Sequence, residues 1–485
     1  MDPKIIAECE NEPLHLSGAI QSYGTLLVTD RALVVTHAAR NAPDLLPAPC
    51  HPAIGRVLPD PLRHLAEILE NLPGARLRVP AALTGMAGPL DANLMRNAKG
   101  HVLMELTPGG APEEFFPLPR YSVPEDGDAL LCFQQELVDR VFAMSGFQRV
   151  MYYRFREDGD GEVIAEKRLP DVYGSYLGLR YPASDVPQIA RRLYMINPWR
   201  LIADASAEPV PIDGDGGAPP DLSRSDLRSA SPVHCLYLAN MGVRASLSFP
   251  LVKGDELVGL IACHHDSPRV LSAGLLAAIA RETASRALAL SAYMVQQRMR
   301  IVAGMEFRFK EIADLLKRNI GLREAWPLIG KWLAREFQAD GAWFSFGEVF
   351  ESVGMAPDAS ARRVIDLWFS DRPAGTVLMT DSLARDIPGT NFAAMAGLIA
   401  INIQILGGVR LDVYLSRKEY VHEVAWGGNP EKPVEHNAQG ISIAPRRSFE
   451  KWVEKRAGHC RPWEVNERLL ALNLRTLLLK AGCHV

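Results

Sequence analysis

The 485-residue chain has no marked excess of either charge: 53 lysines and arginines face 57 aspartates and glutamates, a formal net charge of −4. That balance argues against nucleic acid or an anionic membrane as the main partner. Its seven cysteines are scattered and odd in number, so no disulfide framework is indicated. Free thiols in a reducing cytoplasm fit best. The N-terminal stretch MDPKIIAECENEPL carries acids where a secretory leader needs a basic start and an apolar run. The most apolar segment, Phe392 to Gly408, is broken by Asn402 and Gln404. It is short for a membrane span and reads as a buried helix followed by a strand. No nucleophile elbow, P-loop, GxGxxG or HExxH motif is present, and nothing resembles a kinase ATP site. The expectation is a soluble cytoplasmic protein that belongs to none of these enzyme classes.

What is present is ordinary globular composition, 48% hydrophobic and 23% charged, in a length that predicts about three domains. Residues 1–118 mix short strands (Tyr23 to Asp30, His101 to Leu106) with a short helix from Pro61 to Leu72. The Pro/Gly/acid-rich stretch 108–128 marks a boundary. A second domain, 119–299, opens with an amphipathic helix from Leu130 to Ser145 that Gly146 closes. A strand follows at Arg149 to Phe155, then a long loop at 206–232, then a hairpin of Ala245 to Val252 and Leu257 to His264. No proline interrupts Leu271 to Arg318, and Leu276, Ile279, Thr283, Ala287, Leu290 and Met294 form one stripe on a single long helix. Such a helix joins two domains or pairs with a second copy, with Leu290 and Met294 as candidate dimer contacts. The third domain, 300–485, mixes strands (Ala342–Phe346, Val364–Phe369, Arg410–Leu415) with terminal helices. The fold class is therefore α+β.

Three constellations carry potential chemistry. His234-Cys235 and Cys263-His264-His265 bring together metal-ligand types. Read as strand residues, neighbours point to opposite faces, so neither cluster presents both side chains to one ion and no metal is expected. Asp185 sits between prolines in Tyr181-Pro182-Ala183-Ser184-Asp185-Val186-Pro187, which fixes the backbone and aims the acid. Arg200 and Arg228, with Ser246, Ser248, His234 and Tyr194, suit a ligand with two carboxylates, because guanidinium binds carboxylate in a fork. Tyr152, Tyr153, Tyr181 and Tyr237 offer flat apolar walls.

These segments, in this order, resemble the bacteriophytochromes. Cys9-Glu10-Asn11-Glu12-Pro13-Leu14-His15 leading to Gly18-Ala19-Ile20-Gln21 is similar to their N-terminus. Tyr181 to Pro187, Ser231-Pro232-Val233-His234, Asn240 to Arg244 and Ile261 to His265 match further blocks, and Pro445-Arg446-Arg447-Ser448-Phe449 resembles the tip of their third domain. The resemblance implies a PAS–GAF–PHY photosensory module at 1–118, 119–299 and 300–485. Each domain would be an antiparallel sheet with flanking helices, and an N-terminal knot would thread the 206–232 loop. It implies a red/far-red photoreceptor whose output module, commonly a histidine kinase, is missing. It implies a homodimer through the long helix, and a response regulator as partner only through that missing module.

By the same resemblance the cofactor is biliverdin, held by a thioether at Cys9, since a thiolate is a strong nucleophile near neutral pH. Attachment is a single event without turnover, so no enzyme class is assigned. Arg200 and Arg228 would hold the propionates with Ser246, Ser248 and Tyr194. Asp185 would offer its backbone carbonyl to the pyrrole N–H groups, and His234 would lie against the inner rings. His264 would hydrogen-bond the D-ring carbonyl in one isomer, and Tyr153, Tyr181 and Tyr237 would line the D-ring pocket. An arm at about 418–458 would read the chromophore, with Arg446 pairing with Asp185 and Ser448 beside it. After Pro445 the arm carries both strand-like and helix-like periodicity. Three departures stand out: Ser22-Tyr23 where the family usually has Pro-His, Val186 for isoleucine, and Phe249-Pro250 inside a strand. By residues alone, a non-photochemical sensor of a tetrapyrrole or cyclic nucleotide remains an alternative.

Overall fold

The computed structural model describes residues 12–109, 117, 121–172, 174–317, 321–404, 410–430 and 450–480. Cys9, Arg446 and Ser448 lie outside the described residues. The chain forms two compact units: residues 1–293 with 425–452, and residues 294–424 with 453–485.

In the first unit, β1 (Ala19–Ile20), β2 (Thr25–Thr29), β3 (Val35–Ala39), β4 (Arg76–Gly85), β5 (Gly88–Arg96) and β6 (Val102–Pro108) join a later strand, Val210–Gly214, in a seven-stranded sheet. Helix α1 (Asp60–Glu67) packs Leu62 and Ala66 against Leu27, Leu94, Met104 and Leu106. The expected helix to Leu72 stops earlier. Pro73-Gly74 forces the chain to turn into β4, and a residue before proline avoids the helical region.

The 206–232 loop is not structureless. Its Val210–Gly214 segment, β11, pairs with β1 and β3. Pro211 and Gly214 hide that strand from a periodicity reading. Further bonds fasten the N-terminal segment to this loop: Leu222 N to His15 O (2.8 Å), Gln21 N to Leu227 O (2.8 Å) and Ser229 N to Ala19 O (3.1 Å). The path of a knot depends on residues 1–11, which lie outside the described residues.

The second sheet of this unit contains β7 (Arg149–Phe155), β8 (Gly161–Arg168), β9 (Arg180–Tyr181), β10 (Arg200–Ile202), β12 (Ala245–Lys253) and β13 (Glu256–His265) in the order β10-β12-β13-β7-β8-β9. Helix α2 (Gly127–Ser145) begins at Asp126, whose carboxylate accepts from Ala129 N at 2.8 Å. It ends at Gly146, left-handed at φ 62°. Two short helices, α3 (Gln188–Tyr194) and α4 (Pro232–Asn240), belong to the same unit. His234 and Cys235 therefore sit on a helix, not on the expected strand, because Pro232 opens a helical turn. Phe249 is fully buried in the core, and Pro250 lies beyond the last residue that β10 pairs with. At that point β12 has one neighbour, so a proline is admitted without losing a second ladder.

Helix α5 (Ala273–Lys317) is the long helix. Leu276, Ile279, Ala287 and Leu290 belong to the core of the second domain. Leu290 is thus a core residue and not the outward dimer contact expected of it, whereas Met294 is 46% exposed.

In the second unit, β14 (Gly341–Phe346), β15 (Val349–Gly354), β16 (Val377–Thr380), β17 (Met395–Gln404) and β18 (Arg410–Lys418) form a five-stranded antiparallel sheet, order β15-β14-β18-β17-β16. The chain then makes β19 (His422–Gly427) and β20 (Lys451–Arg456). Helices α6 (Leu322–Glu336) and α8 (Val465–Lys480) lie on one face, and α7 (Ala359–Ser370) packs on the other. Val364–Phe369, expected as a strand, is in α7: Asp358 caps its start, and Ala361, Ile365 and Phe369 recur every four residues on its buried side. The expected helix before Gly408 is likewise absent among the described residues. Met395–Gln404 is one strand whose two faces both meet core, which is why its apolar run is continuous rather than alternating.

The 425–452 part of the arm belongs to the first unit. There Trp426 pairs in parallel with Arg180, and Gly427 lies against the Tyr181 ring. A Cβ at Gly427 would come within 2.6 Å of that ring, so glycine permits the approach.

Candidate functional site

Strand register builds the site. Arg200 pairs with Ser248 and Ile202 with Ser246 across β10 and β12, and Ser246 pairs with His264 across β12 and β13. Period-two alternation then puts Ser246 and Ser248 on one face. Tyr194, near the end of α3, reaches this face, with its hydroxyl 2.7 Å from Ser248 Oγ. Arg200 donates to the carbonyls of Asp226 (3.3 Å) and Arg228 (2.6 Å), which brings Arg228 beside it.

Opposite them stands the proline-bracketed turn. Ala183–Asp185 forms a single 3-10 turn, and Pro187 starts α3. Arg191 pins the turn through Val186 O (2.8 Å) and Gly159 O (2.6 Å). One turn apart on α4, His234 and Tyr237 lie with rings nearly parallel, 5.9 Å between centroids. The Tyr237 hydroxyl donates to Asp185 Oδ2 at 3.1 Å.

The space between is a cavity of about 290 Å³. Asp185, Tyr194, Arg200, Arg228, His234, Tyr237, Ser246 and Ser248 all line it. His264, Tyr153 and Tyr181 do not line it. Tyr153 and Tyr181 form an aromatic cluster with Tyr176 and Met151, and His264 neighbours Arg149 across β7. Glu12, Ser184, Asn197, Trp199 and Ser231 also line the cavity; Glu12, Ser184 and Ser231 stand within the motifs quoted above without a role of their own, and Asn197 and Trp199 were not singled out. Trp199 was legible only as the neighbour of Arg200, and Glu12 enters because Ser231 Oγ donates to its carboxylate at 2.9 Å.

The electrostatics ask for an anion. Burial and the neighbouring Arg200 hold Arg228 down to about 9, and burial also lowers Arg200. Two desolvated guanidiniums side by side want carboxylates. Arg228 Nη1, Ser184 Oγ and Trp199 Nε1 are buried with no hydrogen-bond partner among the described residues. Native proteins rarely leave such groups unpaired, so these donors fit a polar ligand. Burial, then Arg200, pushes His234 down to about 4 against the pull of Asp185. Burial, then Arg149 and His234, pushes His264 down to about 3, and its Nδ1 also lacks a partner among the described residues. Both rings are neutral near pH 7 and can each donate one hydrogen bond and accept another. A flat apolar wall, two guanidiniums, hydroxyl donors and the neutral His234 imidazole line the cavity and together suit an open-chain tetrapyrrole with two carboxylates. Among the described residues no cluster of His, Cys, Asp or Glu could hold a metal. No helix among them is long and apolar enough to cross a membrane.

Fold and site together define a three-domain sensory chain with a buried ligand pocket in its second domain. Three family descriptions match in order: a PAS fold over residues 9–108, a GAF domain over 130–289 and a phytochrome region over 313–484. The chain is 32% identical to a bacteriophytochrome of Pseudomonas aeruginosa, aligned over 99% of this chain and 67% of that one. It is 33% identical to a bacteriophytochrome of Xanthomonas campestris, over 98% of this chain and 79% of the relative. Against cyanobacterial phytochrome B of Nostoc it is 31% identical and spans 66% of that protein's length, about two thirds. The photosensory core module of the Stigmatella aurantiaca phytochrome superposes with a TM-score of 0.79 at 30% identity, covering 98% of each chain. A bacteriophytochrome crystal structure from R. palustris superposes with a TM-score of 0.81 at 27% identity, over 98% of this chain and 99% of that one. The chain belongs to the phytochromes and has the PAS–GAF–PHY organisation of their photosensory core.

Proposed function

We propose that this chain is the light-sensing part of a bacteriophytochrome that carries biliverdin in the second-domain cavity, joined by a thioether to Cys9. The observation that carries the reading is the buried Arg200–Arg228 pair, with unpaired donors around it and the neutral His234 facing it. A bilin bound here supplies red-light absorption and a double bond at the D-ring that light can turn. The chain's own residues hold and sense it. Arg200 and Arg228 grip the carboxylates, with Ser246, Ser248 and Tyr194 completing the cradle. The Asp185 carbonyl accepts from the pyrrole N–H groups, and His234 sets their proton balance. His264 offers a hydrogen bond to the D-ring carbonyl in one isomer, within walls made by Tyr153, Tyr181 and Tyr237.

The domains run 1–118, 119–299 and 300–485, and the arm at 418–458 reports the isomer through Arg446 and Ser448 against Asp185. A buried acceptor left unpaired after ring rotation costs about 1–3 kcal/mol, enough to tip a two-state arm. Red and far-red light thus interconvert two states of a cytoplasmic homodimer that signals through an output module and itself turns over no substrate. Co-expression with a biliverdin source tests this. A green-blue protein with red absorption that shifts under light is expected, with the pigment retained in denaturant by the parent chain and released by Cys9→Ser. A colourless protein, or one with no light-induced difference spectrum, overturns it.

A further inference from the structure

The propionate-type clamp does not stand on the second domain alone. Arg228 and the carbonyls that hold Arg200 belong to one short segment, Ser225–Arg228, outside the named helices and strands, with a single antiparallel bridge from Arg228 to Ile20 of β1. Two side chains of the first domain fasten it. Glu105, on β6 and fully buried, accepts from Ser225 Oγ (2.5 Å) and from Leu227 N (3.0 Å) through one oxygen. Ser225 Oγ in turn accepts from Arg228 N at 3.0 Å, so the bonding runs from Glu105 to the backbone of the clamp arginine. Arg76, on β4, donates to Asp226 Oδ2 (2.7 Å), Arg224 O (3.1 Å) and Asn197 Oδ1 (3.3 Å), and its guanidinium lies 5.4 Å from the centre of the Trp199 ring. Asn197 and Trp199 are cavity walls.

We infer that Glu105 and Arg76 are positioning residues for the Arg200–Arg228 clamp, so that the first domain sets the preference for a ligand with two free carboxylates without touching it. The inference rests on the tetrapyrrole reading above and adds to it the origin of carboxylate selectivity. Fork-like recognition tolerates little misplacement, since both donors must meet one carboxylate at once. A clamp on an irregular segment needs outside support to keep that geometry. The surroundings of Glu105 agree. Burial, then Asp226, pushes its carboxyl up from the usual range, which favours the neutral acid, and neutral glutamine is a close stand-in.

The test compares biliverdin with biliverdin dimethyl ester, which has the same rings but no carboxylates. Equilibrium affinities are read by absorbance titration of the full chain carrying Cys9→Ser, together with the melting temperature of each variant. Glu105→Ala and Arg76→Gln should lose about tenfold in affinity for biliverdin while changing ester affinity less than about twofold, the pattern of one misplaced charge-assisted bond. Glu105→Gln should restore the parent preference. If Glu105→Ala folds poorly, Arg76→Gln carries the comparison alone. Equal losses for both ligands, or no loss for either, overturn the positioning role. A parent chain that binds acid and ester equally well overturns the clamp itself, which is a different failure.

Discussion

Tyr237 donates its hydroxyl to Asp185 Oδ2 across 3.1 Å, from helix α4 to the proline-bracketed turn. The same tyrosine lies parallel to His234, so one side chain connects that ring to the acid of the proline-bracketed turn. In the proposed function Asp185 has a second partner, Arg446, in one isomer only.

Arg446→Ala and Asp185→Ala should each keep bilin binding yet weaken or shorten the photoconverted state. An ion pair shielded from water leaves a stranded charge when one partner goes, so each single change should be felt fully. The double variant should be no worse than either single, which dark-reversion rates would read. Unchanged difference spectra in Arg446→Ala would sink the latch.

Arg228→Ala separates ligand binding from stability. Truncating one member of a buried ion pair usually costs about 3–5 kcal/mol. Arg228 instead lies beside Arg200, which outweighs the attraction of Asp226 and Asp221, and its Nη1 is buried without a partner among the described residues. Without ligand, Arg228→Ala should therefore lose less than about 1 kcal/mol by denaturant titration, while biliverdin affinity drops at least about tenfold. A large loss of stability without ligand would show that the guanidinium serves the fold instead.

Acid should weaken the ligand-free protein through two buried histidines. His234 and His264 bind protons only near about 4 and 3 in the folded chain, against 6.5 ordinarily. Below 6.5 the unfolded chain takes up more protons, so stability is full above that pH and falls as pH drops toward 4. His234→Gln should flatten this slope in melting temperatures between pH 4 and 6.5. An identical slope would remove His234 from the account.

The exposed stripe of α5 offers the dimer contact that Leu290 cannot. Leu288 (73% exposed), Met299 (66%) and Val302 (51%) are apolar and follow helical spacing with Val295. Leu288→Glu and Met299→Glu should give monomers in light scattering without bleaching the chromophore. Leu290→Glu should instead lower the melting temperature sharply, because it buries a charge in the second domain's core. A parent chain already monomeric, or an unchanged mass in both exposed variants, would rule the stripe out.

What the amino-acid order alone determined is what local rules control. The long helix, the stop of α2 at Gly146 and the β12–β13 hairpin follow from periodicity, capping and turn chemistry, which act over a few residues. The Pro182–Pro187 turn was legible for the same reason, since proline restricts its own backbone wherever it sits. The resemblance of ordered motifs implied Arg200 and Arg228 as partners of one ligand, which their spacing in the chain does not. Tertiary structure decided the rest. Whether Val364–Phe369 became helix or Met395–Gln404 strand depended on which faces met core, and β-branched or uniformly apolar runs leave that open. Pairing of β11 with β1 and β3 joins residues about 170–190 apart in sequence, which no window of the chain contains. Likewise Glu105 fell in an expected strand of the first domain with no role, and Arg76 fell in no expected element. Only folding set them beside Ser225 and Asp226, because hydrogen-bond partners are chosen by distance in space and not by position in the chain.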